Sequence, residues 1–396
     1  MVIGIEGNVH VGKTTFIKNN FNEFNIIKEI PFNKKLNDYD RQLYYIENEI
    51  KKKEKLSNNT ILDRTIISTI LYTFYTNSLN VDEKKKIIEI IERKINEDKI
   101  ILPSIIYLII YPYKLISLNH LKLMKEKGTQ DSLIDYSYYL NYSLFFSNCN
   151  YASKKIVRTK EYRQIMVYNS DIFKNITTPP RINTKILLDG APAIGKSTIG
   201  NYQKKYQYIK EFKYKKYTLS DYQNQIDSII ERINILNKEN ILLDTSFLMG
   251  ITHLFYNEQT SQELKLEMID KIIGKVFLNN YITKIIYLVL DRDKLIERKN
   301  MDKFKERKHF FDNLNYLELE KNFYYILDKR LAKMSNINFL DATYSIEKLS
   351  GIIEDIPDKP LLLVDLFYEI KEAIKEGELW CYILFGFVLY YLYSQI

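Results

Sequence analysis

A chain of 396 residues is too long for one typical core and long enough for two cores of about 150 to 200 residues each. Hydrophobic residues make up 46% of the sequence and charged residues 27%, which is ordinary for a globular protein and excludes general disorder. The formal charge of +8 suits anionic ligands such as nucleotides, but the lysines are scattered as on solvated helix faces, so nucleic-acid binding is not expected.

Cysteine usage and the start of the chain indicate a reducing compartment. The two cysteines, Cys149 and Cys381, have no partner at metal-ligand spacing, so neither a disulfide framework nor a zinc site is expected. Met1 leads directly into an apolar strand, which leaves no room for a signal peptide. We therefore expect a cytoplasmic protein.

A strand followed by a glycine-rich loop opens the predicted fold. Val2 to Ile5 is apolar, and Gly7 to Thr14 matches the pattern G-x-x-x-x-G-K-[ST] completely. In such a loop the backbone N–H groups converge on phosphate oxygens, and the following helix adds its positive N-terminal end. Lys13 is expected to reach the terminal phosphates of ATP and Thr14 to bind Mg²⁺. The predicted ATP-binding residues are Gly7, Asn8, Val9, His10, Val11, Gly12, Lys13, Thr14 and Thr15.

Polar residues follow the first loop at three further places. Glu29 closes the predicted second strand and can accept a proton from an attacking hydroxyl, although a solvated strand-end glutamate is the alternative. Gln42 lies on the next helix, where its amide can pair with a nucleobase edge, and an exposed glutamine is the alternative. Asp63 and Arg64 end the third strand, where an arginine can brace phosphates.

The same loop pattern returns in the second half of the chain. Lys185 to Leu188 predicts a buried strand, and a complete G-x-x-x-x-G-K-[ST] match follows it. Lys196 is expected on the terminal phosphates and Ser197 on Mg²⁺. The predicted ATP-binding residues here are Gly190, Ala191, Pro192, Ala193, Ile194, Gly195, Lys196, Ser197 and Thr198.

Further features recur at offsets of 180 to 183 residues, which predicts an internal duplication. The recurring pairs include Lys13 and Lys196, Glu29 and Glu211, Gln42 and Gln225, and Asp63 and Asp244. We therefore expect an α/β fold with two tandem P-loop modules, each a parallel β-sheet with helices on both faces, and a C-terminal helical tail. The predicted boundaries are 1–178, 179–356 and 357–396.

The two halves diverge in their arginines. After the third strand the first half has Arg64, whereas the second has Thr245. Beyond the fourth strand the second half has Arg298 and Arg307 in a lid-like stretch, whereas the first half has His120 and lysines. Because lid arginines stabilise charge on a transferring phosphoryl group, Arg298 is a predicted catalytic residue. Each half thus lacks an arginine that the other keeps.

Both halves resemble the deoxynucleoside kinase and thymidylate kinase superfamily of P-loop kinases, over most of residues 1–355. The motifs that carry the likeness are Ile5-Glu6-Gly7-Asn8 before the first loop lysine, Asp63-Arg64-Thr65, and the stretch from Asp302 to Tyr325.

The resemblance implies roles for several residues. Glu29 would be the catalytic base, with Glu211 as its counterpart, and Gln42 and Gln225 would read the nucleobase. Arg232 matches a substrate-side arginine of the family. The first half has Glu49 at that position, so its substrate site departs from the family pattern. Asn169-Ser170-Asp171 and Leu340-Asp341-Ala342 stand where the family loop touches adenine, with a plain turn as the alternative.

The end of the chain permits two interpretations. Leu379 to Ile396 is 18 residues long and carries no charge, which is the lower limit for spanning a bilayer. A C-terminal membrane tether is one interpretation. Burial against the modules, or against a partner subunit as in a homodimer, is the other and the favoured one.

The predicted activity is transfer of the γ-phosphoryl group of ATP, with Mg²⁺, to the 5′-hydroxyl of a deoxynucleoside in nucleotide salvage. The absence of an Asn-Lys-x-Asp motif disfavours GTPases, and the absence of the Arg-Glu-Pro-Gly-Gly segment of thymidylate kinases favours a nucleoside over a monophosphate acceptor. The alternatives are thymidylate kinase activity in one half, a nucleotide-binding pseudokinase or scaffold, and one catalytic half beside a structural one. In the last case the second half, with Arg232 and the lid arginines, is the better candidate catalyst, although Thr245 replaces an arginine there.

Overall fold

The chain folds into two compact units, Met1–Ile182 and Asn183–Ile396. A computed structural model describes residues 1–29, 35–127, 136–148, 152–158, 163–177, 179, 182–210, 222–255, 261–301 and 314–378. Each unit contains a β-sheet rich in parallel strands and several helices. The predicted α/β fold class is confirmed.

The first unit contains six strands and six α-helices within the described residues. The strands are β1 Val2–Glu6, β2 Asn25–Ile27, β3 Thr60–Asp63, β4 Ile105–Ile110, β5 Ala152–Arg158 and β6 Gln164–Asn169. The helices are α1 Lys13–Asn20, α2 Asp38–Lys52, α3 Ile66–Tyr75, α4 Val81–Asn96, α5 Tyr113–Lys127 and α6 Tyr136–Asn148.

The sheet of the first unit has the order β2-β3-β1-β4-β6-β5. The first four strands are parallel, but β6 is antiparallel to β4 and β5 is antiparallel to β6. In this register Gln164 pairs with Ile110, at the edge where β1 leads into the glycine loop, and Asn169 pairs with Ile105 at the opposite edge. The sequence analysis predicted parallel strands throughout, so the two antiparallel strands are a difference from that prediction.

This strand direction corrects the assignment of Asn169-Ser170-Asp171 to an adenine-contacting loop. The segment lies at the sheet edge opposite the glycine loop. The Asn169 side chain accepts a hydrogen bond from the Asp171 N–H at 3.0 Å and so caps the short 3-10 helix Ser170–Asn175.

The second unit has seven strands and eight α-helices in its described part. The strands are β7 Lys185–Gly190, β8 Gln207–Ile209, β9 Ile241–Asp244, β10 Tyr281–Ile282, β11 Lys284–Val289, β12 Ile337–Asp341 and β13 Leu361–Leu362. The helices are α7 Lys196–Tyr202, α8 Tyr222–Asn234, α9 Phe247–Phe255, α10 Gln262–Lys275, α11 Arg292–Met301, α12 Leu314–Leu331, α13 Ile346–Asp355 and α14 Leu363–Lys375.

The main sheet of the second unit has the order β12-β11-β7-β9-β8, and all its strands are parallel. Strands of a parallel sheet are covered on both faces, which explains their continuous apolar sequences. Ile186, Leu188, Leu242 and Ile286 are fully buried in the core of this unit. In the parallel part of the first sheet, Ile3 and Ile5 of the central strand β1 are likewise buried.

The end of the described chain belongs to the second unit. β13 pairs antiparallel with β10, and α14 buries ten residues of its thirteen. Arg330 at the end of α12 pairs with Glu369 of α14 at 3.3 Å and with Glu378 at 2.7 Å. Residues 361–375, which the sequence analysis placed in a separate tail, are thus part of this unit's core.

No helix in the described ranges is both long and apolar enough to cross a membrane. The uncharged segment 379–396, for which a membrane tether was left open, lies outside the residues that the structure describes.

Candidate functional sites

Each glycine loop forms the turn that its sequence predicts. Gly7 and Gly190 have φ of 142° and 138°, and a Cβ atom on them would lie 2.7 Å from the Ile109 carbonyl oxygen and 2.8 Å from that of Leu288. Only glycine fits such a close approach of two backbones at positive φ. The loops therefore follow β1 and β7 directly and lead into α1 and α7.

The loop lysines take the same position in both units. Lys13 Nζ donates to the carbonyl oxygens of Gly7 and Asn8, each at 3.1 Å. Lys196 Nζ donates to those of Gly190 and Ala191 at 2.5 and 3.0 Å. Both ammonium groups lie folded over their loops, where they can exchange carbonyl contacts for phosphate oxygens.

The remaining predicted ATP-binding residues differ in exposure. Those that are exposed at the start of α1 and α7 are Thr14, Thr15, Ser197 and Thr198. Those that are buried or partly buried in the loops are Asn8, His10, Val11, Gly12, Pro192, Ala193, Ile194 and Gly195, and Val9 is 36% exposed. Each loop is thus anchored by its apolar residues and open at its helix end.

A buried carboxylate lies before each loop. The sequence analysis noted Glu6 in the Ile5-Glu6-Gly7-Asn8 motif but gave it no role, and it missed Asp189. Glu6 is fully buried and accepts hydrogen bonds from the Thr65 N–H at 2.7 Å, the Thr65 hydroxyl at 2.6 Å and the Ser68 hydroxyl at 2.8 Å. The Tyr142 hydroxyl also donates to it, and accepts from the Gly7 N–H at 3.0 Å. This carboxylate joins the first loop to the end of β3 and to α6.

The second unit contains the corresponding network. Asp189 is fully buried and accepts from the Ser246 N–H and hydroxyl, each at 2.6 Å, and from the Tyr324 hydroxyl at 2.8 Å. Glu6 and Asp189 are 183 residues apart, and Tyr142 and Tyr324 are 182 apart. Comparing the repeats residue by residue would have revealed these pairs, because they share the offset of the loops.

Around Lys13 the first unit gathers the predicted catalytic residues. Arg64 Nε lies 2.6 Å from Glu29 Oε1, and the Arg64 Nη1 donates to the Ser68 hydroxyl at 3.1 Å. β2 ends at Ile27, so Glu29 lies two residues beyond the strand, with its side chain 47% exposed. Burial raises the pKa of Asp63 above its usual value, and the positive charge of the nearby Lys13 offsets part of this rise. A carboxylate and an arginine thus meet beside the loop lysine.

The second unit arranges a different set of polar groups. The Ser197 hydroxyl donates to Asp244 Oδ2 at 2.8 Å, and the Tyr208 hydroxyl donates to the same oxygen at 2.7 Å. Thr245, in the place of Arg64, donates to Asp244 Oδ1 at 3.0 Å. The predicted base Glu211 lies outside the described residues.

The hydroxyl and carboxylate oxygens of Ser197 and Asp244 are ligands that Mg²⁺ prefers, so the residues present fit the ion. The sequence analysis missed Tyr208, whose ring packs where a Cβ on Gly200 would stand. Within the described residues, no group of three or more His, Cys, Asp or Glu side chains is arranged to hold a metal ion.

Arg298 contacts backbone in the structure. Its Nη1 donates to the Ile194 carbonyl at 3.0 Å, and its Nη2 donates to the Ala342 carbonyl at 2.8 Å. It thereby ties α11 to the second glycine loop and to the turn after β12. The other predicted lid residue, Arg307, lies outside the described part of the chain.

The predicted substrate-binding residues have different surroundings. Gln42 is 1% exposed, and its Oε1 has no hydrogen-bond partner among the described residues. Gln225 on α8 is partly buried. Arg232 is 1% exposed and donates to the Ser246 carbonyl at 3.3 Å. A bound ligand with a hydrogen-bond donor could therefore complete the hydrogen bonding of the buried Gln42 Oε1.

Glu49, which stands where the second unit has Arg232, is paired within its own helix. Lys52 Nζ donates to Glu49 Oε1 at 2.6 Å and to the Arg64 carbonyl at 3.2 Å. Both side chains are buried. In the first unit, the backbone carbonyl of Arg64, just after β3, thus accepts a hydrogen bond from a lysine. In the second unit, the carbonyl of Ser246, just after β9, accepts one from an arginine.

Comparison with known proteins gives similarity at the level of fold. The sequence matches no protein-family model and no curated protein. The structure is similar to deoxyadenosine kinase from M. mycoides with bound dCTP, at 21% identity over 43% of this chain and 97% of that chain, with a TM-score of 0.33. It is also similar to thymidylate kinase from Candida albicans, at 19% identity over 46% of this chain and 98% of that chain, with a TM-score of 0.32. At this level of similarity, the function is inferred from the residues of the two sites.

The buried carboxylates are expected to be essential for stability. Asp189→Asn places an amide N–H₂ among three donors, so at least one buried donor loses its acceptor, which should lower the free energy of unfolding by about 1 to 3 kcal/mol. Urea unfolding of the full chain measures this, with exposed Asp355→Asn as the matched control. An unchanged unfolding midpoint would contradict the structural role of Asp189.

ATP binding to the first loop is expected to weaken as the pH rises above 7. Burial and the neighbouring Arg64 lower the pKa of Lys13 to about 7, and bound phosphates raise it again, so binding takes up a proton. Between about pH 7.5 and 9, where the charge of ATP itself is constant, the affinity should fall roughly tenfold per pH unit.

Calorimetric titration in buffers of different ionisation enthalpy measures the uptake, with the second loop silenced by Lys196→Ala. The control is Lys13→Arg, which stays charged and should remove the pH dependence. Binding of ATP without proton uptake in the parent protein would show that Lys13 is already charged in the free site.

Glu320 on α12 should make stability depend on pH. It is fully buried, accepts from the Tyr287 hydroxyl at 2.8 Å, and has its pKa raised by burial to about 7. Because the folded state holds the proton more tightly than the unfolded state, stability should fall as the pH rises from about 4.5 to 7, by on the order of 3 kcal/mol.

Glu320→Gln removes the ionisation and should be more stable than the parent at pH 8, with a flatter profile. Denaturant titrations at pH 5 and pH 8 measure the difference, and exposed Glu318→Gln on the same helix is the control. Identical pH profiles for the parent and Glu320→Gln would refute an ionising Glu320.

Proposed function

We propose that the protein is an ATP-dependent kinase that transfers the γ-phosphoryl group of ATP to the 5′-hydroxyl of a deoxynucleoside. The observation that carries the proposal is the ion pair between Glu29 and Arg64, 2.6 Å apart, beside the loop lysine of the first unit. A carboxylate that can accept a proton and an arginine that can bind phosphate thus lie together at a phosphate-binding loop.

The roles follow from these positions. The N–H groups of the first loop and Lys13 bind the ATP phosphates, and Arg64 stabilises the charge that spreads over the phosphoryl oxygens during transfer. Glu29 accepts the proton of the attacking hydroxyl, since its side chain is 47% exposed and reachable from solvent. Mg²⁺, which Thr14 would hold in this unit and Ser197 with Asp244 in the other, would neutralise phosphate charge when bound.

Gln42 supports a nucleoside acceptor. Its buried Oε1 lacks a hydrogen-bond partner among the described residues, and an amide pairs with a nucleobase edge through both its oxygen and its nitrogen. A base bound here would complete the hydrogen bonding of Gln42. Nucleotide salvage is the metabolic setting that this substrate class suggests.

A second function is proposed for the second unit, which would bind a nucleotide without transferring phosphate. In that unit Arg232 and Arg298 donate to backbone carbonyls, and Thr245 stands in the place of Arg64. The Arg298 guanidinium, which donates to two backbone carbonyls, supports a structural or regulatory site. The recurrent positions of the two loops also support an origin of the units by duplication.

Phosphoryl transfer from labelled ATP to a panel of deoxynucleosides and their monophosphates tests the proposal. We expect product from at least one nucleoside, abolished by Lys13→Ala and reduced by about 10² to 10⁴ in kcat by Glu29→Gln, since the variant loses the general base. Lys196→Ala should retain most of the activity. The exposed Glu92→Gln on α4 is the matched control.

Other outcomes would change the assignment. Product from monophosphates only, with Glu29→Gln fully active, would indicate a thymidylate-type kinase, whose acceptor is already ionised. Loss of activity in Lys196→Ala but not in Lys13→Ala would move the reaction to the second unit. ATP binding without any product would indicate a nucleotide-binding scaffold.

A further inference from the structure

The two sheets differ in the direction of one strand near the glycine loop: β12 of the second unit is parallel to its neighbour, whereas β6 of the first unit is antiparallel. In the second unit β12 is parallel to β11 and ends at Asp341 on the loop side, where the Ala342 carbonyl receives Arg298. In the first unit β6 is antiparallel to β4, so its first residue, Gln164, lies at the loop side. The residue that enters β6 is therefore brought to the first glycine loop.

That residue is Arg163, and its guanidinium packs on the loop. A Cβ atom built on Gly12 would lie 3.2 Å from Arg163 Nη2, 3.3 Å from Cζ and 3.4 Å from Nη1. The guanidinium carbon also lies 5.1 Å from the centroid of the Tyr111 ring, the first residue after β4. The group is thus held between an aromatic ring and the residue that immediately precedes Lys13.

This position suits a ligand with several phosphate oxygens. The N–H groups at the end of the glycine loop and the start of α1 point toward bound phosphate, and a guanidinium offers planar donors that can bind two phosphate oxygens at once. Helix α5, which follows β4 as α11 follows β11, contains no arginine. The first unit therefore has no counterpart of Arg298 on this helix.

We propose that Arg163 binds the terminal phosphates of a nucleoside triphosphate in the first glycine loop. The antiparallel β6 supplies a guanidinium from a part of the chain different from the one that brings Arg298 to the second loop. The assignment rests on the proposed function only in that the first loop binds a nucleoside triphosphate. It does not depend on which acceptor is phosphorylated.

Binding measurements on the full chain with Lys196→Ala, which silences the second loop, test the assignment. The probes are ATP, inorganic triphosphate and AMP. Arg163→Met keeps the apolar contact with Tyr111 and removes the charge, so it should weaken ATP and inorganic triphosphate by about 10- to 100-fold and AMP by less. Arg163→Lys should lose less affinity for ATP and inorganic triphosphate than Arg163→Met does. The exposed Arg93→Met on α4 should bind all three probes as the parent does.

Three results would overturn the assignment. In the first, Arg163→Met binds ATP and triphosphate as the parent does. In the second, it loses ATP and AMP equally together with a lower melting temperature, which would make Arg163 a structural brace. In the third, the Lys196→Ala chain binds no triphosphate at all. Selective loss of triphosphate binding in a chain that transfers no phosphate would refute the proposed kinase activity and support the role of Arg163.

Discussion

The two sites depend on a buried carboxylate at the end of the strand that enters each glycine loop. Glu6 and Asp189 each accept hydrogen bonds from the residue two positions after the neighbouring strand of the sheet, β3 or β9, and from a tyrosine on a later helix. A buried carboxylate is tolerated only when hydrogen-bond donors surround it. The loop, the end of the neighbouring strand and the helix must therefore all be in place for these hydrogen bonds to form. The position of each glycine loop is thus fixed by the carboxylate that precedes it.

Although both units share this buried carboxylate, they differ in the polar side chains around the glycine loop. In the first, Glu29 and Arg64 form an ion pair close to Lys13, and the buried Oε1 of Gln42 has no hydrogen-bond partner among the described residues. In the second, arginines are engaged by carbonyl groups, and Asp244 is held by Ser197 and Tyr208. An asymmetric pair, in which one site turns over and the other responds to nucleotide, is consistent with this division.

Local patterns in the sequence predicted the parts of the fold that depend on local chemistry. The loops, their lysines and the strands before them follow from glycine spacing and apolar runs, and the structure has them at those positions. The direction of β6 was not predictable, since antiparallel pairing with β4 depends on a distant partner strand. The role of the buried carboxylates was missed because an acidic residue in an apolar strand is informative only when its distant hydroxyl donors are known.

The burial of α14 limits how the chain can be shortened. A protein cut at residue 356 would retain every loop residue of both sites, yet it would lose the partner strand of β10 and a helix with ten buried residues. The exposed face would be mostly apolar, and such a fragment would tend to aggregate. A cut after Glu378 keeps β13, α14 and the carboxylates that pair with Arg330. The glycine-loop motifs alone therefore do not define the smallest stable form of this protein.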